Sequence, residues 1–296
     1  MAKIAYKEIN FHKRTLQRLE MLENIAQEYL AKGFTLTVRQ LYYQAVARGY
    51  IENNDKNYKQ IATTISDGRM CGVIDWDVIE DRTRYPRANS HWDNPQDVLY
   101  SAARSFAHDK RRTQPIYCEA WIEKDALIGI LEPLARKYDV PCFSCRGYPS
   151  ITAVKDAADR LKDESHRQQR VILYAGDHDP SGLDIPRDIN ERLKVFGADV
   201  TMKRIGLTME QIKKYKPPKN PAKITDTRAD EYIKRHGPSS WELDALEPQV
   251  LADLFTNEIE ALTDMRLYAQ AQAAEDAERR KLFSVYENWP QIAAAL

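Results

Sequence analysis

The sequence predicts an α/β protein: an N-terminal helix-turn-helix part of winged-helix type over residues 1–112, then a parallel sheet with C-terminal helices over 113–296. Three observations predict it. Apolar residues recur at helical spacing through the first seventy positions, short apolar runs then alternate with helical stretches from Ile116 to about Tyr215, and the remainder is helical and acidic. The chain has 296 residues, enough for one large or two ordinary cores.

In order, Leu16, Leu19, Leu22, Ile25, Tyr29 and Leu30 give a first helix from Thr15, stopped at Gly33. Thr37 caps a second, Val38 to Arg48, closed by Gly49; a third begins near Asn57 and turns Tyr58, Ile61 and Ile65 inward. Three short helices before the β-prone Gly72-Val73-Ile74 give the winged-helix expectation. Residues 85–97 read as a connection into a short helix that ends at Lys110-Arg111-Arg112. Strands are then expected at 116–123, 140–146, 170–177 and 199–205, with helices at 124–138, 150–166, 182–195 and 208–215. Residues 213–223, with Pro217, Pro218 and Pro221, read as an exposed basic loop.

Composition excludes some classes and leaves others open. There is no apolar run of membrane-spanning length and the N-terminus lacks a signal peptide's apolar core, so a cytoplasmic, untethered protein is expected. The four cysteines fit a reduced compartment. Cys142 and Cys145 form a Cys-x-x-Cys without a second pair and read as neutral thiols. Net charge is zero, yet residues 1–115 hold 18 basic against 14 acidic residues and 200–224 hold 7 against 1, whereas 225–296 hold 7 against 14. Local cationic surface is what phosphate binding requires, so nucleic acid remains open as a partner. The candidate contacts are Lys59, Arg69, Arg82, Arg84, Lys110, Arg111, Arg112, Lys213, Lys214 and Lys216.

Two constellations carry chemistry. Trp121-Ile122-Glu123-Lys124-Asp125 and Asp177-His178-Asp179-Pro180-Ser181-Gly182 each follow an apolar strand, so Glu123, Asp177 and Asp179 converge outside the carboxyl ends of the strands, where α/β sheets bind ligands. Oxygen ligands few in number suit Mg2+; helix capping is the other reading of these acids. On the second helix Val38, Leu41, Tyr42 and Ala45 share a face, which makes Tyr42 core and puts Tyr43 on an outward flank one turn after Arg39. A phenol is a weak nucleophile near neutral pH and needs a neighbouring cation or metal to attack a phosphodiester.

Together these motifs resemble the A subunit of topoisomerase VI and the meiotic double-strand-break transesterases, closest to compact stand-alone relatives. Arg39-Gln40-Leu41-Tyr42-Tyr43 is similar to the family's Arg-x-x-Tyr-Tyr motif; Glu123-Lys124 and Asp177-His178-Asp179-Pro180-Ser181-Gly182 are similar to the metal-binding motifs of its Toprim domain. Gly147-Tyr148-Pro149 and Trp241-Glu242-Leu243-Asp244-Ala245-Leu246 match two further segments in register, and the likeness spans about residues 35–265. The resemblance implies a Toprim domain, Tyr43 as nucleophile with Arg39 beside it, Glu123, Asp177 and Asp179 holding Mg2+, double-stranded DNA as substrate, and a homodimer in which one protomer's tyrosine meets the other's metal site. The chain lacks the family's long N-terminal extension, which leaves an ATPase partner an open question. Water-driven DNA hydrolysis by a Toprim nuclease and a non-catalytic DNA-binding protein are the alternatives.

Overall fold

The computed structural model describes residues 3–80 and 89–295. Arg82 and Arg84 lie outside the described residues. The architecture is α/β, with a four-stranded parallel sheet and a predominance of helix.

Helices α1 (Lys13–Ala31), α2 (Val38–Ala47) and α3 (Asp55–Met70) pack around Leu19, Leu22, Ile25, Leu41 and Ile65. Thr37 caps α2 with a full capping box to Gln40, and Asn54 caps α3 through the Asn57 amide. A Cβ on Gly68 would lie 2.5 Å from Leu19 Cδ2, so glycine is what lets α3 approach α1 there. A winged-helix domain is not what this part shows. The Gly72-Val73-Ile74 stretch makes no wing strand: Val73 and Ile74 donate their amides to Gly68 O at 2.9 and 3.1 Å, and Ile74 is buried in the helical core. Carbonyl capping at the end of α3 takes the amides that a hairpin needs. The pairings nearby are single bridges, Ala5 with Cys71 and Leu36 with Ile79.

Helix α4 (Pro95–Ser105) lies along a helix from the far end of the chain, α11 (Met265–Glu287), where the Tyr100 ring meets Phe283 and Tyr286. Lys110 and Arg111, expected on a DNA-facing surface, are buried instead. Lys110 pairs with buried Glu275 at 2.7 Å and Arg111 donates to Thr263 Oγ1 at 3.1 Å, so both fasten the 106–112 connection to the C-terminal helices. Lys110 is charge-paired there, whereas Arg111 makes that one bond and leaves Nε and Nη2 buried without partners.

The sheet runs β2 (Cys142–Ser144), β1 (Ile116–Ile122), β3 (Gln169–Ala175), β4 (Thr201–Gly206), all parallel. Strand β2 is shorter than the expected 140–146 because Arg146 and Gly147 take positive φ, 53° and 83°, and turn the chain away after Cys145. The helix expected at 124–138 starts as one 3-10 turn, Asp125–Leu127, before α5 (Ile128–Lys137). Cys118, Ala120 and Ile122 join Leu131 of α5 and Phe255 of α10 (Pro248–Ala261) in one core layer, while Trp121, Ile172 and Tyr174 pack against α6 (Ile151–Asp163) and α7 (Pro180–Val195) on the other. Alternation along the strands thus fills both faces. Cys145 is buried, which pushes its thiol up to about 12 and keeps it neutral.

The 213–223 segment is not a single loop. Lys213 and Lys214 lie in α8 (Met209–Tyr215), and β5 (Lys219–Pro221) pairs antiparallel with β6 (Ser239–Trp241) after α9 (Ala229–His236). Pro221 is tolerated because it ends a short two-stranded ribbon. A 3-10 turn, Leu243–Ala245, then sets Ala245 into the helical core and Leu243 into the sheet core, wedging the segment between the two. A last short helix, α12 (Trp289–Ala295), follows α11. No helix among the described residues is long and apolar enough to cross a membrane.

Candidate active site

Parallel register builds the first half of the site. Ile122 lies opposite Ala175, so Glu123 and the Gly176-Asp177 turn leave the sheet side by side. The Asp177 amide donates to Glu123 Oε2 at 2.9 Å. Gly176 gives the Glu123 carboxylate room, since a Cβ would stand 2.5 Å from that same oxygen and push it aside. Gly182 is required, because a Cβ would overlap the Asp177 carbonyl. Arg204, from the end of β4, donates to the carbonyls of Gly176 and Gly182 at 2.8 Å and of Asp177 at 2.6 Å, holding the turn from beneath.

Each of the three predicted carboxylates has a partner. Asp179 Oδ1 accepts the Gly182 amide at 2.6 Å and caps α7, which is the capping reading of that residue. Asp177 is buried; its Oδ1 accepts from the Leu243 amide at 2.8 Å and its Oδ2 pairs with Lys124 Nζ at 2.9 Å. Burial raises the Asp177 and Glu123 carboxyls above the usual range, and the neighbouring carboxylate adds to this in both: Glu123 for Asp177, Asp179 for Glu123. Among the described residues, no group of three or more His, Cys, Asp or Glu is placed to hold a metal ion.

The second half comes from α2. Tyr43 is buried, with only 4% of its surface exposed, and so is Tyr42 at 2%. The outward flank read for Tyr43 is therefore corrected. The flank exists on the isolated helix, but the β5–β6 ribbon and the Leu243–Ala245 turn cover it. Tyr43 lines a cavity with Asn220 and Glu242, and Arg39 lies over its ring at 5.8 Å. Burial, with Glu242 and Asp244 adding, holds the hydroxyl above its ordinary pKa, and Arg39 offsets this only in part. Tyr42 serves the fold instead, since its hydroxyl accepts the Asn54 amide at 2.9 Å and meets Asn53 Oδ1 at 3.1 Å, tying α2 to the start of α3.

Between the halves stands an ion network that the motifs alone did not assign. Arg39 pairs with Glu242 and, at 3.0 Å through Nε, with Asp244; Lys124 meets Glu242 at 2.8 Å and Asp244 at 3.0 Å. Burial alone would lower the Lys124 pKa, but Asp244, Asp177 and Glu242 raise it, so the ammonium stays charged. Against the upward push of burial, Lys124 and Arg39 hold the Glu242 carboxyl well below the carboxylate range. The signal for these residues was the alternation Glu242-Leu243-Asp244-Ala245, in which acids alternate with apolar residues at a buried turn.

Tyr42, Tyr43, Arg39, Glu123, Lys124, Asp177 and Asp179 all line one cavity of about 820 Å³, with Asn53, Asn220, Lys223 and Glu242. Among the described residues, no hydrogen bond joins Tyr43 to the three carboxylates, although all four line the same cavity. Of the proposed phosphate contacts, Lys59, Arg112, Lys213, Lys214 and Lys216 are exposed or partly so. Arg69 is half-buried, donating to the Trp76 and Ile79 carbonyls and lying over the Trp76 ring at 4.9 Å. No protein-family model matches the chain, and no curated protein matches it significantly.

Proposed function

We propose that this chain is a magnesium-dependent DNA-cleaving transesterase of the type IIB topoisomerase kind. The observation that carries the proposal is the gathering of a tyrosine, an arginine and three carboxylates around one cavity, from motifs far apart in the sequence. The Tyr43 oxygen would form a bond to phosphorus as the bond from phosphorus to one deoxyribose oxygen breaks. The phenolic proton leaves and the departing oxygen takes up a proton, so the strand is cut without consuming water. Arg39 would bind the phosphoryl oxygens as charge develops.

Three carboxylates are the oxygen donors magnesium takes, but here they are not gathered as a metal-holding group, since Asp177 is paired with Lys124 and Asp179 caps α7, so a bound ion would have to displace those partners. Glu123, Asp177 and Asp179 would hold it, and when bound it supplies positive charge against the phosphate. Double-stranded DNA is the proposed substrate, the exposed lysines and Arg112 its backbone contacts, and a second copy of the chain the partner acting on the opposite strand. An ATPase subunit is a further candidate partner. The test is denaturing gel electrophoresis of the protein incubated with end-labelled DNA and magnesium. A protein-linked band that depends on magnesium is expected; cut DNA with no linked protein would replace the proposal with hydrolysis.

That second reading, a Toprim-type nuclease, has its own supporting observation. Tyr43 is buried, its phenol is held neutral, and among the described residues no hydrogen bond joins it to the three carboxylates, as expected of a structural tyrosine.

A further inference from the structure

We propose that Glu242 occupies an anion seat suited to a DNA phosphodiester, so that the resting chain blocks its own site until a phosphate displaces that carboxylate. The inference rests on the transesterase reading and names the place where substrate phosphate is held. A single oxygen, Glu242 Oε2, is contacted by both the Arg39 guanidinium and the Lys124 ammonium. The Tyr43 phenol and this carboxylate line the same cavity. Two cations converging on one oxygen beside a nucleophilic hydroxyl is the arrangement a phosphoryl oxygen requires, and a carboxylate is its nearest protein substitute.

The two acids of the network differ in a way that makes one exchangeable. Asp244 is buried, with its side chain only 1% exposed, and it meets the same two cations from the other side, Arg39 Nε through Oδ2 and Lys124 Nζ through Oδ1. Its place is fixed, because Leu243 and Ala245 on either side are anchored in the two cores. The Glu242 side chain is 22% exposed on the cavity wall, where Asn220 Nδ2 reaches Oε1 at 3.3 Å. If Glu242 swings away, Asp244 still positions Arg39 and Lys124, and an incoming monoanion restores the charge that left.

The experiment measures inorganic phosphate binding to the full chain without divalent metal, by phosphorus NMR line broadening, in wild type, Glu242→Gln and Glu242→Asp. Glutamine keeps the size and removes the charge, so phosphate should bind about tenfold tighter; aspartate withdraws the carboxylate by one methylene and should give a smaller gain, about threefold. Adding Arg39→Gln to Glu242→Gln should abolish the gain. Unchanged or weaker phosphate binding in the Glu242 variants overturns the seat. If Glu242→Gln does not fold, Glu242→Asp decides alone. The outcomes are separable from the parent reading: a DNA-linked wild type without the phosphate gain removes the seat and keeps the transesterase. A phosphate gain without any DNA-linked protein keeps the seat and removes the transesterase.

Discussion

Replacing Lys124 by methionine removes the one ammonium shared by Asp177, Glu242 and Asp244 while nearly preserving side-chain length. Two of those acids are buried, and stripping a buried carboxylate of its partner costs about 3–5 kcal/mol. The Glu242 pair is more exposed and adds at most about 1 kcal/mol. Arg39 still serves Asp244, and the carboxyls relieve themselves by taking up protons, so the net loss near pH 8 should be about 3 kcal/mol. For a chain of this size that lowers Tm by about 5 °C. The pH dependence follows from the direction of the shifts. Burial already raises the Asp177 and Asp244 carboxyls, and without Lys124 they rise further above their unfolded values. The folded variant then binds protons that the unfolded chain does not, so its stability increases as pH falls through the raised values and levels off below the unfolded ones. Circular-dichroism melts in EDTA at pH 8 and pH 5 should show the deficit shrinking at the lower pH, and Lys124→Met/Asp244→Asn should recover about half of it. A fall in Tm under about 2 °C at pH 8, or a deficit independent of pH, would refute the network as a buried, charge-balanced unit.

Tyr43→Phe should abolish any DNA-linked product on denaturing gels; Tyr42→Phe should keep it and cost about 1 kcal/mol in urea unfolding, because the Asn54 amide loses its acceptor. The reverse pattern would transfer the nucleophile to Tyr42. His178 is buried with its Nδ1 against the Tyr232 hydroxyl, and burial, with His236 and Arg204 adding, lowers its pKa to about 4. The unfolded chain protonates this imidazole first, so stability should be lost as pH falls from about 6.5 toward 4, about 2 kcal/mol by pH 4.5, and His178→Phe should remove that component of the unfolding curves. Neutralising Lys213, Lys214 and Lys216 together should weaken binding to all DNA sequences alike and flatten the salt slope by about one unit per lost contact; fluorescence anisotropy showing both unchanged would place DNA elsewhere. Mixing Tyr43→Phe with Asp177→Ala chains should restore nicking of supercoiled plasmid in the purified heterodimer, because the proposed second copy would bring one chain's intact phenol to the other's intact carboxylates. An inactive but dimeric, DNA-binding mixture would argue for centres assembled within single chains.

The sequence by itself determined the elements whose signals are local. Helical spacing and the cap Thr37 set α1 to α3, with the start of α3 misplaced by two residues, and apolar runs bounded by turn residues set the four parallel strands within a few residues. It also determined that Glu123 and Asp177 would emerge together, because both follow buried parallel strands and such ends converge at one edge of the sheet. Tertiary structure decided what no local signal carries. The outward flank of Tyr43 is real on an isolated helix and is lost when the β5–β6 ribbon and the turn at Leu243–Ala245 close over it. Lys110 and Arg111 look like surface cations until packing buries them against Glu275 and Thr263, more than 150 residues away. The same holds for Lys124, which reads as one charge after a strand and becomes the centre of the site only when acids from two distant segments meet it. Burial and charge pairing depend on which surfaces meet, and that is fixed by long-range packing rather than by spacing along the chain.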